Sequence, residues 1–141
     1  YRTMQDVPHL DHQTQTALLD TRVVAGSTAL TQRFLVEFFR SLWPATYVRQ
    51  KVAERREMIG RQGGTPFRIE PEVREGPGGL RDLQLAEWLA AVSYPSTRGD
   101  VWAQLLKLGA VSRRDVQEVA DAREFLLTVR NWMHWETGRH A

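Results

Sequence analysis

The chain has 141 residues, 42% of them hydrophobic and 26% charged, which is the composition of one ordinary soluble globular domain. It contains no cysteine, so a disulfide framework and a thiolate metal site are both excluded. A net charge of only +2 argues against a nucleic-acid-binding protein. No apolar run approaches the length of a membrane span. We therefore expect a cytoplasmic protein with neither nucleic acid nor membrane as a partner.

The N-terminal region is polar at first and then carries an element of mixed propensity over residues 14–26. Alternate side chains of this element would share one face of a strand, and the pair Val23 and Val24 favours that state. A helix is the alternative, because no glycine or proline interrupts residues 14–25. In both cases the element is expected to end at Gly26.

The remainder of the chain predicts five helices, each marked by caps, breakers or apolar residues at three- and four-residue spacing. We therefore expect a mainly α fold, a bundle of about five helices, with an N-terminal segment at 1–26 and a helical domain at 27–141. The predicted helices span residues 27–42, 44–62, 79–94, 100–108 and 112–137.

Two of these helices are expected to differ in burial. The helix at 44–62 is highly charged, and we interpret its Arg55–Arg56 doublet as part of a solvated face. The helix at 79–94 is apolar around most of its circumference, which implies a central position. Five tryptophans fall at helical spacing among aliphatic residues, so we expect them in the core, except Trp135 near the chain end. The thin apolar seam of the charged helix consists of Val48, Val52 and Ile59.

The most distinctive stretch is residues 70–84, EPEVREGPGGLRDLQ. Its glycines let backbone amides approach a ligand closely and adopt positive φ. Its arginines supply forked donors suited to phosphate or carboxylate, and the following helix points its free N-terminal amides at the same place. The pattern predicts an anion site, or a clamp on a neighbouring acidic surface. The residues assigned to ligand or partner binding here are Arg74, Gly78, Gly79, Arg81 and Asp82.

The same stretch has a purely structural interpretation. Its arginine and glutamate side chains would pair among themselves in a rigid loop, and Asp82 would stabilise the start of the helix through its negative charge. On the chemistry of these residues alone, we favour this second interpretation.

A second candidate group lies on the last predicted helix. Arg123 and Arg130 are seven residues apart, close to two helical turns, so they face the same side, and His134 follows about one turn later. These side chains are candidates for lining a binding groove. The alternative, which we favour, is that they satisfy a partly buried polar seam by pairing with carboxylates. The carboxylates available for such pairing are Glu87, Asp121 and Glu124.

The segment at residues 70–84 strongly resembles the one that follows the nucleotidyltransferase domain in the bifunctional uridylyltransferase/uridylyl-removing enzymes of nitrogen signalling. Upstream, residues 16–22 (TALLDTR), followed by Gly26, are similar to the T-x-L-L-[DE]-x-R-x-x-x-G element of that family. Downstream, residues 123–130 (REFLLTVR) and His134 match its closing helix. The resemblance covers most of the chain, and the loop motif is its most specific part.

The resemblance implies a bacterial enzyme that attaches UMP from UTP to a tyrosine of the PII signal protein and later removes it, under the control of glutamine. It implies that the full-length enzyme needs Mg²⁺ or Mn²⁺, with no metal ion bound tightly to this chain. It also implies that a nucleotide or PII is the ligand of the arginine group at residues 70–84 and of the group on the last predicted helix. Asp20 resembles the third carboxylate that such palm domains place on a late strand, where it completes the metal site or polarises the acceptor hydroxyl. The alternative is an Asp20–Arg22 pair on an exposed strand, or a carboxylate on a helix surface.

The chain also departs from the family pattern. It contains no D-x-D pair, which holds two metal ions in nucleotidyltransferases, and no G-[GS] turn at a useful distance from one. The His-Asp doublet of the hydrolytic reaction is missing too. We therefore expect an internal piece of a larger enzyme, inactive alone, that serves as a helical accessory and substrate-positioning domain. The alternative is a non-catalytic helical protein-interaction or substrate-binding module of another nucleotidyltransferase-like signalling protein.

Overall fold

The computed structural model describes residues 10–21, 23–61, 72–94 and 100–138. Within these ranges the chain forms six α-helices and no β-strand, which confirms the mainly α prediction with one helix more than expected. In chain order the helices are α1 (His12–Leu19), α2 (Thr28–Ser41), α3 (Pro44–Arg61), α4 (Leu80–Ser93), α5 (Val101–Lys107) and α6 (Arg113–Thr137).

The N-terminal element is a helix, so the strand interpretation of residues 14–26 is wrong and the helix alternative holds for their first part. α1 begins after Asp11, whose carboxylate accepts a hydrogen bond from the Thr14 amide at 2.8 Å and so caps the first turn. The helix ends at the C-cap residue Asp20 rather than at Gly26.

Tertiary packing explains why this element is not a strand. Leu18 and Leu19 pack against the hydrophobic core, whereas the β-branched Val23 and Val24 are exposed. Among the described residues there is no sheet that a strand here would join, and an isolated strand leaves its backbone groups unpaired. Arg22 lies outside the described residues, so its pairing with Asp20 stays a prediction.

The hydrophobic core is small, and two of the four residues in its buried cluster are aromatic. Phe38 and Leu42, at the end of α2, are 0% and 4% exposed, and the Phe38 ring contacts the rings of two neighbouring phenylalanines. The predicted apolar stripe of α2 is confirmed in this half of the helix, whereas Leu30 in its first turn is 68% exposed. The buried core cluster consists of Phe38, Leu42, Tyr47 and Val92.

α3 buries a polar side, which the charged composition of this helix did not indicate. Tyr47, Lys51 and Arg55 are its buried residues, and because they are four residues apart they share one face. The Tyr47 hydroxyl lies 3.0 Å from Thr16 Oγ1, and burial raises the pKa of Tyr47 to about 12. The expected seam is only partly buried along its whole length, at Val48, Val52 and Ile59.

α4 holds the central position that its composition predicts, because it contacts α1, α3, α5 and α6. α6 begins with a capping box: the Asp115 amide donates to Ser112 Oγ at 3.1 Å, and the Ser112 amide donates to the Asp115 carboxylate at 2.8 Å. No helix in the described ranges has both the length and the apolar character that crossing a membrane requires.

Several large aromatic side chains lie on the surface. On α6, Phe125, Trp132 and Trp135 are 67%, 70% and 88% exposed, and Trp43 before α3 is 64% exposed. The exposure of Trp135 agrees with the sequence-based expectation, but the prediction of core packing is wrong for Trp43 and Trp132. The reason on α6 is that α4 and α5 pack against one side of this long helix and leave the opposite side uncovered.

Candidate functional site

The glycine loop, residues 72–79, is closed by hydrogen bonds within its own backbone and to the start of α4. The Gly76 amide donates to the Glu72 carbonyl at 3.1 Å. The first three amides of α4, which we expected to be free for an anion, all donate to loop carbonyls and are therefore not available to a ligand. The Leu80 amide donates to the Val73 carbonyl at 2.9 Å, the Arg81 amide to the Arg74 carbonyl at 2.9 Å, and the Asp82 amide to the Gly79 carbonyl at 3.0 Å.

Two of the predicted binding glycines are required by the loop itself. Gly78 has a φ of +76°, a conformation that L side chains rarely adopt, and its amide donates to Asp82 Oδ2 at 2.7 Å. At Gly79 a Cβ atom would lie 2.8 Å from the Val73 carbonyl oxygen, closer than real Cβ contacts allow. A positive φ explains the glycine at position 78 and close packing the glycine at position 79, and their predicted contact with a ligand stays a prediction.

Arg55 of α3 fastens the glycine loop to the rest of the molecule. Its side chain is 7% exposed, and each of its three side-chain nitrogen atoms donates a hydrogen bond. Nε donates to Asp82 Oδ1 at 2.5 Å, Nη1 to the Glu75 carbonyl at 2.9 Å, and Nη2 to the Gly76 carbonyl at 2.9 Å. One guanidinium therefore joins α3, the loop and the first turn of α4.

The burial of Arg55 was not predicted, because the Arg55–Arg56 doublet was interpreted as part of a solvated face. Arg56 is exposed as expected, but Arg55 is buried. The spacing along the helix could have indicated that Arg55 is buried. Arg55 lies two turns after Tyr47 on the same helical face, and an aromatic residue such as Tyr47 is itself a candidate for burial.

Charged side chains of the glycine loop and of the start of α4 hold one another in place. Arg81 donates to both oxygens of Glu75 at 2.8 to 3.2 Å and to Gln84 Oε1 at 2.9 Å. These hydrogen bonds lower the pKa of Glu75, against the opposing effect of partial burial. Burial would raise the pKa of Asp82, but the hydrogen bonds from Arg55 and the Gly78 amide together bring it below its ordinary value. The structural interpretation of this loop is thus confirmed for these pairs.

A cleft of about 570 Å³ lies between α1, α3 and α4, and we call it the Asp20 cleft. The indole Nε1 of Trp88 donates to Asp20 Oδ1 at 3.0 Å. The Lys51 ammonium and the Arg81 guanidinium each lie 5.8 Å from the centre of the Trp88 ring, within cation–π range. The cleft therefore combines the exposed carboxylates of Asp20 and Glu54 with cations and an aromatic wall. Its polar lining residues are Gln13, Thr16, Asp20, Lys51, Glu54, Arg55, Glu75 and Arg81.

The described residues do not form a metal site on their own. Asp20 lies at the end of α1, but no group of three or more histidine, cysteine, aspartate or glutamate side chains able to hold a metal ion occurs in the described part of the chain. A divalent ion here would need ligands from elsewhere, since Mg²⁺ is held by several oxygen ligands. The assignment of Asp20 as a third carboxylate and metal ligand stays a prediction.

A second cavity of about 400 Å³, the arginine groove, lies between the glycine loop, α4 and α6. It brings together both arginine groups identified in the sequence. The predicted member His134 is half-buried on α6 but does not line the groove. Its lining residues are Arg74, Leu80, Arg81, Leu83, Gln84, Glu87, Arg123, Leu127 and Arg130.

The predicted pairing of the α6 arginines with carboxylates is confirmed for Arg123 only. Arg123 Nη2 contacts Glu87 Oε1, which also accepts a hydrogen bond from Trp102 Nε1 at 3.0 Å. Arg130 differs, because its Nε atom is buried and has no hydrogen-bond partner among the described residues.

Comparison with known proteins gives a consistent set of matches. The family described as GlnD PII-uridylyltransferase matches residues 46–141. A bifunctional uridylyltransferase/uridylyl-removing enzyme of Burkholderia mallei (strain ATCC 23344) is 37% identical over 130 residues, which is 92% of this chain and 15% of that relative. The protein of the same description from Burkholderia orbicola (strain MC0-3) is 38% identical, with the same coverage. The chain thus spans 15% of the length of these curated relatives, and no solved structure matches it.

Proposed function

Because the chain belongs to the PII-uridylyltransferase family, we propose that it is the helical accessory region of an enzyme that transfers UMP from UTP to a tyrosine of the PII protein. The substrate-positioning role, UTP, PII and a cytoplasmic location are proposals, which rest on the family and on the charges of the Asp20 cleft. The residues that bind Mg²⁺ or Mn²⁺ would be carboxylates of the larger enzyme, with Asp20 as a candidate addition.

The observation that carries this proposal is the anchoring of Arg81 by hydrogen bonds in the lining of the Asp20 cleft. Arg81 is held by Glu75 and Gln84 and lies against Trp88, and the loop that precedes it is fastened by Arg55. A cation fixed in this way is already oriented before a substrate arrives, which lowers the entropic cost of binding. The cleft wall would therefore position an anionic group of the nucleotide.

Asp20 faces the same cleft from α1. Its Oδ1 atom is held by the Trp88 indole, so its orientation is defined although the residue is exposed. A carboxylate in this position can accept a proton from, or polarise, a hydroxyl group brought within hydrogen-bond distance. We assign this role toward the acceptor tyrosine of PII to Asp20, with Arg81 opposite on α4.

The test is a UMP-transfer assay of the full-length enzyme carrying Arg81→Ala, with UTP and PII as substrates. We expect transfer to fall about tenfold or more, the effect of losing one charge-assisted hydrogen bond. Arg40→Ala is the matched control, because Arg40 lies on α2 with a side chain 73% exposed and pairs with Glu37. Thermal unfolding of both variants separates loss of function from loss of fold. Normal transfer by a folded Arg81→Ala enzyme would remove Arg81 from the mechanism.

One observation favours a second candidate, a non-catalytic helical binding module. The glycine loop satisfies its own amides and buries Gly76 and Gly79, as a loop with a purely structural role would. The transfer assay separates the two candidates, because a module that takes no part in transfer leaves the rate unchanged when Arg81 is replaced.

A further inference from the structure

One face of α6 carries large aromatic side chains that are exposed in the described structure. Phe125, Trp132 and Trp135 are 67%, 70% and 88% exposed. At 3.6 residues per turn, these three positions fall within about 80° of one another around the helix and extend over about three turns. We call this stripe the aromatic face. Exposed apolar residues that are scattered singly are ordinary, whereas neighbouring ones on one face indicate an interaction surface.

The aromatic face is separate from the side of α6 that packs against the rest of the molecule. α4 and α5 contact α6, and the half-buried residues Val119, Leu126 and Met133 share the side that lies opposite the aromatic face. A helix at the surface of a globular protein has one apolar stripe, with polar residues on the opposite face. Because α6 has apolar residues on two sides, we expect a further element to cover the second side.

A symmetric contact between two copies of the chain would be small. Each of the three exposed side chains offers roughly 150 Å² of apolar surface, so the aromatic faces of two copies would bury about 900 Å² together. Stable interfaces between separate proteins bury about 1,200–2,000 Å². Regions of one polypeptide form interfaces from about 600 Å² upward, because the connecting chain keeps their surfaces close together. The size of the aromatic face therefore suits a contact within one polypeptide.

The position of the aromatic face on α6 indicates which part of a longer polypeptide would cover it. The curated relatives are several times longer than this chain, which spans 15% of their length. α6 ends directly after the aromatic face, at Gly138, whose φ of +59° is the left-handed conformation that terminates many helices. Consecutive elements of a chain are usually adjacent in space. The nearest element to cover the end of α6 is therefore the one that follows it.

We propose that the aromatic face binds the segment that follows residue 141 in the full-length enzyme. That segment packs against Phe125, Trp132 and Trp135 with an apolar side of its own, which removes the exposed rings from water. The contact joins the helical region to the next part of the enzyme. It rests on the family to which the chain belongs and not on the proposed transfer of UMP.

The experiment is photo-cross-linking of the full-length enzyme carrying Trp132→benzoylphenylalanine, with the linked peptides identified by mass spectrometry. The replacement keeps an aromatic side chain at an exposed position, so the fold is retained. We expect cross-links within one polypeptide, to residues that follow position 141. Phe125→benzoylphenylalanine provides a second position on the same face and should link to the same segment. Arg40→benzoylphenylalanine is the control, because Arg40 lies on α2 with a side chain 73% exposed, and it should not link to that segment.

Any other pattern of cross-links overturns the proposal. Cross-links from position 132 to α6 of another copy would make the aromatic face a contact between two chains, and light scattering of the 141-residue chain would then show a dimer. Cross-links to residues that precede position 1 would assign the face to a different part of the enzyme. Cross-links that form only after PII is added would assign it to a separate protein. If neither position links more than the Arg40 control, the face is exposed to water in the full-length enzyme.

Discussion

At the scale of single residues, Arg55 shows how a charged side chain becomes part of a protein interior. Burying a guanidinium group is unfavourable unless its donors are satisfied and its charge is paired. Asp82 supplies the charge, and the Glu75 and Gly76 carbonyls supply the remaining acceptors. Arg81 lies two residues after the glycine loop, so its position depends on this attachment.

Replacing Arg55 should therefore destabilise the fold strongly. We expect Arg55→Met to lower the free energy of unfolding by about 3 kcal/mol, the typical cost of breaking a buried ion pair by removing one partner. Urea unfolding followed by circular dichroism measures the change. The neighbouring Arg56→Met variant is the control, because Arg56 is exposed and its replacement should change stability by less than about 0.5 kcal/mol. Equal effects at the two positions would contradict the assignment.

At the scale of elements, the glycine loop and α4 form one unit. The loop carbonyls replace a side-chain cap at the N-terminus of α4, since the N-cap residue is Gly79 and has no side chain to offer. The Asp82 carboxylate completes the unit by accepting from the Gly78 amide. Close approach of the backbone to itself thus accounts for the glycines at positions 76 and 79.

Two glycine substitutions should consequently have opposite effects. Gly79→Ala places a Cβ atom within 2.9 Å of three carbonyl oxygens, so we expect a loss of stability of about 2 kcal/mol from overpacking. Gly60 lies in α3 with open space around it, and Gly60→Ala should stabilise the chain by up to about 1 kcal/mol through helix propensity. Thermal unfolding measures both. Stabilisation of the chain by alanine at position 79 would show that the loop is not packed as described.

At the scale of the whole molecule, two cavities that differ in their balance of charge are lined by α4. The Asp20 cleft has carboxylates, cations and an aromatic wall, whereas the arginine groove has an excess of cations. Arg81 lines both and is anchored by Glu75, so the loop that carries the family motif determines the geometry of both cavities. The stability of this region is therefore a property on which the shape of both cavities depends.

The carboxylates of this region should make the stability of the molecule sensitive to acid. The pKa values of Glu75 and Asp82 are lowered in the folded state, so just below their ordinary values near pH 4 the unfolded chain binds more protons than the folded chain. Their stabilising contribution is present above about pH 4 and is lost as the pH falls through the lower folded pKa values.

Urea midpoints measured between about pH 6 and about pH 3 test this expectation. Asp82→Asn is the informative variant, because it keeps the side-chain volume and an oxygen acceptor but removes the titrating group. It should be less stable than the unmodified chain near neutral pH and show a smaller loss of stability on acidification. An identical pH dependence in both proteins would exclude Asp82 as a contributor.

The sequence by itself determined the helical class, the bounds of most helices and the family. Local signals are sufficient for these features: caps such as Ser112 with Asp115, breakers such as Gly109, and apolar spacing all act within a few residues along the chain. The loop motif indicated the family because it is a contiguous string of residues.

Only the tertiary structure decided what the charged and ambiguous residues do. The burial of Arg55, the helical state before Asp20 and the exposure of Trp132 depend on which distant element packs against each residue. The free N-terminal amides expected for α4 are engaged for the same reason, since their acceptors lie across the glycine loop. Such contacts join residues that local periodicity treats as independent, and their energies outweigh the small differences in local propensity on which sequence-based interpretation depends.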